Sequence, residues 1–441
     1  MRRLEPADLV VTTLGLATVA SPLALSTVTG DGVADYVPEG ARVLCDVEVS
    51  VDRPLPRPLM FDKAGPRERI FFDPARTTAG IVTCGGLCPG INNVLRSIVL
   101  ELHHKYGVPR VLGFRYGYSG LDPAHALPPT LLTAENVRHI HRMGGSLIGV
   151  SRGAPTVAAM VDELVRHDVQ ILFTIGGDGT QRGAHAIAIE IARRGLAIAV
   201  VGVPKTIDND IPFVDKTFGY ESAVEVARQA VDAAHTEALG ALNGVGIVKL
   251  MGRDAGFIAS AATLASREVN FCLIPEVRFE LGGPRGLLAA LERRLAVRQH
   301  ALIVVAEGCA AALVDEHSAR DASGNVRYGA AKLDLGPQLR DAIIDHFQRA
   351  GIAIVVKYID PSYMIRGCPA NAYDAIFCDG LARHAVHAGM AGKTDVLIGR
   401  AHDIFTLVPL PLVTGEHKRI DPDGATWLAV TEATGQPALH G

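Results

Sequence analysis

Residues 170–180 read Gln170-Ile-Leu-Phe-Thr-Ile-Gly-Gly-Asp-Gly-Thr180, an apolar run that ends in a glycine pair and leads into a helical stretch through Arg194. Strand, tight glycine turn and helix, in that order, form the repeating unit of an α/β fold. The unit recurs on both sides. Upstream, Ala79–Cys84 predicts a buried strand and Gly85–Gly90 a turn. Asn92–Tyr106 follows as a helix with Val94, Leu95, Ile98, Val99 and Leu102 on one face. Downstream, Ala197–Val203 predicts a third strand, and Ala223–Leu239 a long helix. A second set of strands follows at Gly246–Leu250, Phe271–Ile274, Ala301–Ala306 and Ala353–Tyr358. Unbroken apolar strands alternating with helices imply mostly parallel sheets covered on both faces, which take ligands at the carboxyl ends of their strands.

A chain of 441 residues buries a large core and is expected to divide into at least two lobes. Its formal net charge of −4, with no Lys/Arg run, offers no general attraction to nucleic acid or an acidic membrane. Any anion site must therefore be built from individually placed basic residues. Seven cysteines without paired CxxC spacing argue against a disulfide framework or a structural zinc. The apolar stretch Leu9–Leu25 is broken by Thr, Gly and Pro and preceded by Glu5 and Asp8, so it makes a poor signal peptide. A cytoplasmic enzyme is the expectation. Residues 1–75 lack helical periodicity, carry a short candidate strand at Arg42–Val49, and read as an N-terminal extension without chemistry of its own. Asp315–Tyr328 is polar and reads as a surface loop.

Every chemically loaded motif falls at a strand end. Gly176-Gly-Asp-Gly-Thr180 opens a helix, so its main-chain N–H groups and the helix N-terminus suit phosphate oxygens, and Asp178 suits a Mg²⁺ that bridges them. Lipid kinases and NAD kinases use similar turns, and a tight βα turn capped by Asp is the plainer reading. Gly85-Gly-Leu-Cys-Pro-Gly90 repeats the logic one strand earlier. No GxxxxGK[ST] occurs, so the nucleotide fold is not of the P-loop kind. Gly202-Val-Pro-Lys-Thr-Ile-Asp-Asn-Asp210 gathers a cation, a hydroxyl and two carboxylates, the mixture needed to take a proton from an alcohol while a phosphoryl group arrives. Read alone it is also an ordinary Asx-rich turn. In the second half, Lys249-Leu-Met-Gly-Arg-Asp-Ala-Gly256 places Arg253 for bidentate contacts, and Glu307 follows another strand. Lys357-Tyr-Ile-Asp-Pro-Ser-Tyr-Met-Ile-Arg366 sets two cations and a tyrosine on a loop after a further strand.

Taken together and in this order, from Ala79 to about Gly380, these motifs resemble the 6-phosphofructokinases. Ala64-Gly-Pro-Arg-Glu-Arg-Ile-Phe-Phe-Asp-Pro74 and the Lys357–Arg366 stretch are most similar to the long ATP-dependent enzymes of plants and kinetoplastids. The resemblance implies two similar α/β lobes, each a mostly parallel sheet with helices on both faces, plus the extension. Residues 76–220, completed by about 365–415, would bind nucleotide; 221–364 would bind sugar phosphate; 416–441 would form a C-terminal segment. It implies Asp208 as the base that deprotonates the 1-hydroxyl of fructose 6-phosphate, supported by Thr206, Asp210, Lys205 and Arg253. On the ATP side it places Gly86, Tyr118, Arg152, Gly153, Gly177, Asp178, Gly179 and Thr180, with Asp178 the Mg²⁺ ligand. On the sugar-phosphate side it places Thr206, Ile207, Asp208, Met251, Gly252, Arg253, Glu307, Lys357, Tyr363 and Arg366. It also implies a homodimer or homotetramer with shared active sites, and no nucleic-acid or membrane partner.

Two departures stand out. The short bacterial enzymes carry an Arg seven residues before the Met of Met-Gly-Arg, where this chain has Gly244, and they use Arg and His where it has Lys357 and Tyr363. The donor is a separate question. Pyrophosphate users resemble GGDD with Lys in PKTID, and many ATP users pair GGDG with PGTID. This chain combines Gly179 with Lys205. Glycine at 179 leaves room for an α-phosphate, and the long plant and kinetoplastid type pairs the Lys with ATP, so ATP is the expected donor and pyrophosphate the alternative. A kinase of the NAD or diacylglycerol type would lack PKTIDND and MGR. A sensing subunit without turnover would not need Asp178, Asp208, Arg253 and Arg366.

Overall fold

The computed structural model describes residues 4–48, 58–125, 127–309 and 335–440, so the polar stretch Asp315–Tyr328 lies outside the described residues. The chain divides into two compact units. One comprises Met1–Thr206, Ile211–Gly219 and Cys368–Glu416; the other comprises Ile207–Asp210, Tyr220–Gly367 and His417–Gly441.

In the first unit the strands Ala79–Cys84, Gln170–Ile175 and Ala197–Val203 of the sequence reading are found at Thr78–Thr83, Ile171–Gly176 and Ala199–Pro204, and every residue of all three is buried. Burial on both faces is what the continuous apolar runs require. They sit inside a nine-stranded sheet. From Val396–Ala401 through Ala199–Pro204, Ile171–Gly176 and Thr78–Thr83 to Arg110–Phe114, neighbouring strands are parallel. Antiparallel strands extend it at both edges: Thr130–Leu131 on one side, and Ile404–Pro409, Met60–Lys63 and Arg42–Leu44 on the other. Residues before 75 therefore contribute strands to this sheet, and Thr12–Thr13 pairs with Lys393–Thr394. The helix read at Asn92–Tyr106 runs as an α-helix over Ile91–Leu100 and continues as a π-helix over Glu101–Tyr106.

The second unit holds a four-stranded parallel sheet in the order Phe271–Leu273, His300–Ala306, Gly244–Leu250, Val355–Ile359. The helix Tyr220–Leu239 turns Ala223, Ala227, Ala230, Ala234 and Ala238 inward. This small-residue face lets the helix backbone lie against Gly244–Leu250. A Cβ at Gly246 would stand 2.9 Å from the Ala234 carbonyl oxygen, and one at Gly244 only 2.0 Å from that of Ala238. Among the described residues no helix is long and apolar enough to cross a membrane.

Candidate active site

The first unit assembles its motifs at the carboxyl end of the parallel sheet. Strand Ile171–Gly176 stops at Gly177, whose carbonyl accepts the N–H groups of Thr180 (2.9 Å) and Gln181 (3.0 Å) as helix Asp178–Arg193 begins. Gly176 has no alternative here, because a Cβ would lie 2.1 Å from Thr180 Oγ1. Asp178, the first helical residue, pairs with Arg182 one turn later (2.8 Å). The Lys205 N–H donates to the Gly176 carbonyl (3.0 Å), and its ammonium to the Gly86 carbonyl (2.7 Å). Gly85 N–H in turn donates to Ser151 O (2.8 Å), and Arg152 Nη2 stands 3.9 Å from where a Gly86 Cβ would be. Gly177 faces the Lys205 carbonyl at 3.2 Å and Thr206 Cβ at 3.9 Å, measured from the same imagined Cβ. Gly86, Arg152, Gly177, Lys205 and Thr206 are thus brought to one place. Gln181, which the sequence did not single out, is fully buried, and its amide donates to Gly176 O (2.8 Å) and Val203 O (3.3 Å). It ties together the strand ends that carry the two motifs.

Tyr118 is placed differently from its expected role. It is 3% exposed, its hydroxyl donates to the Thr180 carbonyl (2.7 Å), and its ring fills the space in front of Gly183. Burial pushes its phenol well above the ordinary tyrosine range. It supports the GGDGT turn from beneath. The exposed ring of the Arg115–Gly120 segment is Tyr116, which is 42% exposed in a left-handed conformation (φ 57°). Its carbonyl accepts the Ser151 hydroxyl, and its ring lies over Gly149.

In the second unit, Ile207–Asp210 meets the ends of two strands and a short helix. Asp208 is partly exposed as a residue, with its Oδ1 buried. It faces the carboxylates of Asp210 and Glu307, the guanidinium of Arg366 on helix Ser362–Gly367, and the main-chain N–H of Arg253. Burial first, and then the two like charges, push its carboxyl up to about 8 against the opposing pull of Arg366 and the Arg253 N–H. Met251 is fully buried. Gly252, with φ 123°, accepts the Gly308 N–H through its carbonyl (3.0 Å). A Cβ at Gly308 would stand 2.0 Å from Arg253 O, so the turn carrying Arg253 and the one carrying Glu307 touch through a glycine. Gly308, the glycine of Ala306-Glu-Gly308 after the strand, was not among the expected site residues, and its sequence signal was only that motif.

Residues 78–389 match the family described as Phosphofructokinase. The chain is 48% identical to an ATP-dependent 6-phosphofructokinase of Amycolatopsis methanolica over 98% of its own length and 96% of the relative's. It is 43% identical to one of Borreliella burgdorferi, covering 98% of each. This chain belongs to the phosphofructokinase family. Another relative, the ATP-dependent 6-phosphofructokinase of Trypanosoma brucei brucei, is 46% identical over 86% of this chain and 77% of that one. Among solved structures, the fold resembles a pyrophosphate-dependent phosphofructokinase from Marinobacter aquaeolei (TM-score 0.64, 20% identity, 83% of this chain and 92% of that one). It also resembles the Pichia pastoris phosphofructokinase (TM-score 0.61, 21% identity, 77% and 35%).

Three positions, Gly244, Lys357 and Tyr363, are set otherwise than the sequence suggested. Gly244 opens its strand under the Ala238 carbonyl, and on this backbone no side chain fits there, which accounts for the missing arginine. Lys357 is not at a strand end. It lies inside the edge strand Val355–Ile359, opposite Gly246, and its exposed ammonium is 4.0 Å from Glu237. Gly246 is about 13 Å, or four residues of strand, short of Leu250, where the Met251–Arg253 turn begins. Tyr363 and Arg366 stand on the helix Ser362–Gly367 where the sequence suggested a loop, and Tyr363 is 90% exposed.

Proposed function

We infer that this protein is an ATP-dependent 6-phosphofructokinase, transferring the terminal phosphoryl group of ATP to the 1-hydroxyl of fructose 6-phosphate. The observation that carries the mechanism is the environment of Asp208. Two carboxylates and burial raise its proton affinity, while the Arg253 N–H and Arg366 fix its orientation. A carboxylate with raised affinity accepts an alcohol proton more readily than an ordinary one does. Arg253 and Arg366 would also hold the sugar phosphate, and Glu307 would accept its hydroxyls. On the nucleotide side, the open N-terminus of helix Asp178–Arg193, the Gly85–Gly86 turn, Lys205 and Arg152 supply N–H groups and cations for the phosphates. Thr206 and Asp210 would line the path of the transferring group. Tyr116, the exposed ring, would cover the nucleotide.

The donor chemistry suits Mg²⁺, which takes one or two carboxylates and otherwise waters and phosphate oxygens. Asp178 is one carboxylate at a helix start and would be its protein ligand. Bound there, the ion would supply positive charge to the phosphate oxygens. We also propose a homo-oligomer, in which Lys357 and Tyr363, both exposed on the single chain, serve a neighbouring copy.

The reading is tested by assaying fructose 6-phosphate with Mg-ATP and with Mg-pyrophosphate in parallel. Turnover with ATP is expected, and turnover with pyrophosphate alone would overturn the donor assignment. Gly179→Asp sharpens the test. Gly179 is the exposed second residue of the helix, so an aspartate there adds bulk and negative charge where the phosphates arrive. Its KM for ATP is expected to rise at least about tenfold, the equivalent of roughly 1.4 kcal/mol, with the KM for the sugar little changed. Unaltered ATP kinetics would remove the steric argument.

A further inference from the structure

The segment after His417 lies beyond the family match at residues 78–389, and no sequence motif drew attention to it. In the second unit it grips the two residues that follow Asp208. The His417 imidazole Nδ1 is 3.2 Å from Asp210 Oδ2. The Lys418 N–H donates to the Asp210 carbonyl (2.8 Å), and its ammonium donates to Asn209 Oδ1 (3.1 Å). Asn209 is buried and held at φ 55°, a left-handed conformation uncommon for residues with a Cβ and tolerated best by asparagine and aspartate. Its surroundings include a strap from a distant part of the chain.

That strap is itself anchored. Two residues further on, Ile420 N–H donates to Glu276 Oε1 (2.9 Å), and the same carboxylate takes the Gly256 N–H at 2.9 and 3.0 Å, just before helix Phe257–Ser266. The Gln436 amide exchanges two hydrogen bonds with the Cys272 main chain (2.7 and 3.2 Å), and Glu280 N–H donates to Leu439 O (2.7 Å). A contact fixed at this many points transmits position instead of following the loop.

We propose that His417 and Lys418 are positioning residues for the phosphoryl transfer, clamping Asn209 and Asp210 so that the Asp208 carboxylate keeps its aim and Asp210 keeps a partner on its outer side. The charges around Asp208 divide clearly. Asp210 and Glu307 raise its hold on a proton, Arg366 and the Arg253 N–H lower it, and His417 acts on it through Asp210. Removing the imidazole leaves the Asp210 charge less compensated, so Asp208 keeps its proton to higher pH. A lysine at 417 does the opposite, because its ammonium stays charged across the whole profile.

The inference rests on Asp208 being the base, and the experiment keeps the two apart. The full chain is assayed as wild type, His417→Ala, His417→Lys and Asp208→Asn across the acidic limb of the kcat profile. His417→Ala is expected to lose about tenfold in kcat, as outer partners of a site residue typically do, with both KM values within about twofold. Its limb is expected to move to higher pH, and that of His417→Lys to lower pH. A purely structural contact does not produce opposite displacements. An unmoved limb in both variants, or a loss confined to KM, overturns the proposal. Should the alanine variant fail to fold, His417→Lys against wild type decides by the same criterion. Turnover surviving in Asp208→Asn would remove the base assignment itself. An inactive Asp208→Asn with unmoved His417 profiles would remove only the strap.

Discussion

Asp208→Asn is expected to lower kcat by about 10³-fold, while fructose 6-phosphate still binds, because general-base removal costs 10²- to 10⁴-fold and leaves binding groups in place. Asparagine keeps the shape and still accepts the Arg253 N–H, but it cannot take a proton. The wild-type base also predicts a pH profile. With its carboxyl pushed up to about 8, Asp208 as the base should carry a proton over most of the range below that pH in the free enzyme. The kcat/KM should therefore climb with pH and level off above about 8. A profile already flat from about pH 6 would place the base elsewhere.

The same shift makes a claim on stability, with the opposite sign to the usual carboxylate. The folded chain holds this proton more tightly than the unfolded one, whose carboxyl has the ordinary value of 3.8. Its contribution is fully present below that value and is lost as pH rises through about 8. The asparagine variant has no charge to bury. Melting temperatures of the two proteins should nearly coincide at about pH 4 and separate toward pH 8, with the variant higher. A variant less stable than wild type at pH 8 would contradict the buried like-charge picture. An active-site residue that costs stability for function is a familiar trade.

The fold was readable where burial imposes a pattern. Thr78–Thr83, Ile171–Gly176 and Ala199–Pro204 are buried on both faces, so their apolar runs announce strands within a residue or two of the observed ends. Arg42–Leu44, at the sheet's edge, and Met60–Lys63 beside it are short strands with most of their residues outside the core, and their sequence carries little strand signal. The motifs at the strand ends were legible because glycine, aspartate and arginine in those orders have few other uses. What a side chain does within a motif was less so. Tyr116 and Tyr118 are two residues apart and chemically the same. Which ring is buried depends on Gly183, a helix away, having no Cβ to refuse Tyr118. Lys357 reads like a strand-end cation until the register sets it opposite Gly246. His417 and Lys418 gain meaning only when a strap from about 200 residues downstream returns to Asn209 and Asp210.

Gly308→Ala is expected to cost about 10²-fold in kcat with the fold retained, the scale of effect produced by a displacement of about 1 Å in a catalytic arrangement. The reason is local and geometric. A methyl group at 308 would fall 2.0 Å from Arg253 O and 2.9 Å from Gly252 O, both main-chain atoms that cannot swing aside like a side-chain tip. The turn Met251–Arg253 must retreat, and the hydrogen bond from Gly308 N–H to Gly252 O, 3.0 Å in the native arrangement, stretches or breaks. Arg253 then carries its N–H away from Asp208 and its guanidinium away from the place proposed for the sugar phosphate. Losing that N–H removes one of the two influences holding the Asp208 proton affinity down. The acidic limb of kcat/KM should therefore move to higher pH together with the fall in rate. Strand His300–Ala306 is fully paired with Gly244–Leu250 up to Ala306, so the sheet beneath the turn has no cause to unravel. A Gly308→Ala enzyme with native kcat and an unmoved limb would show that the two turns do not need to touch, and would return Glu307 and Arg253 to independent roles.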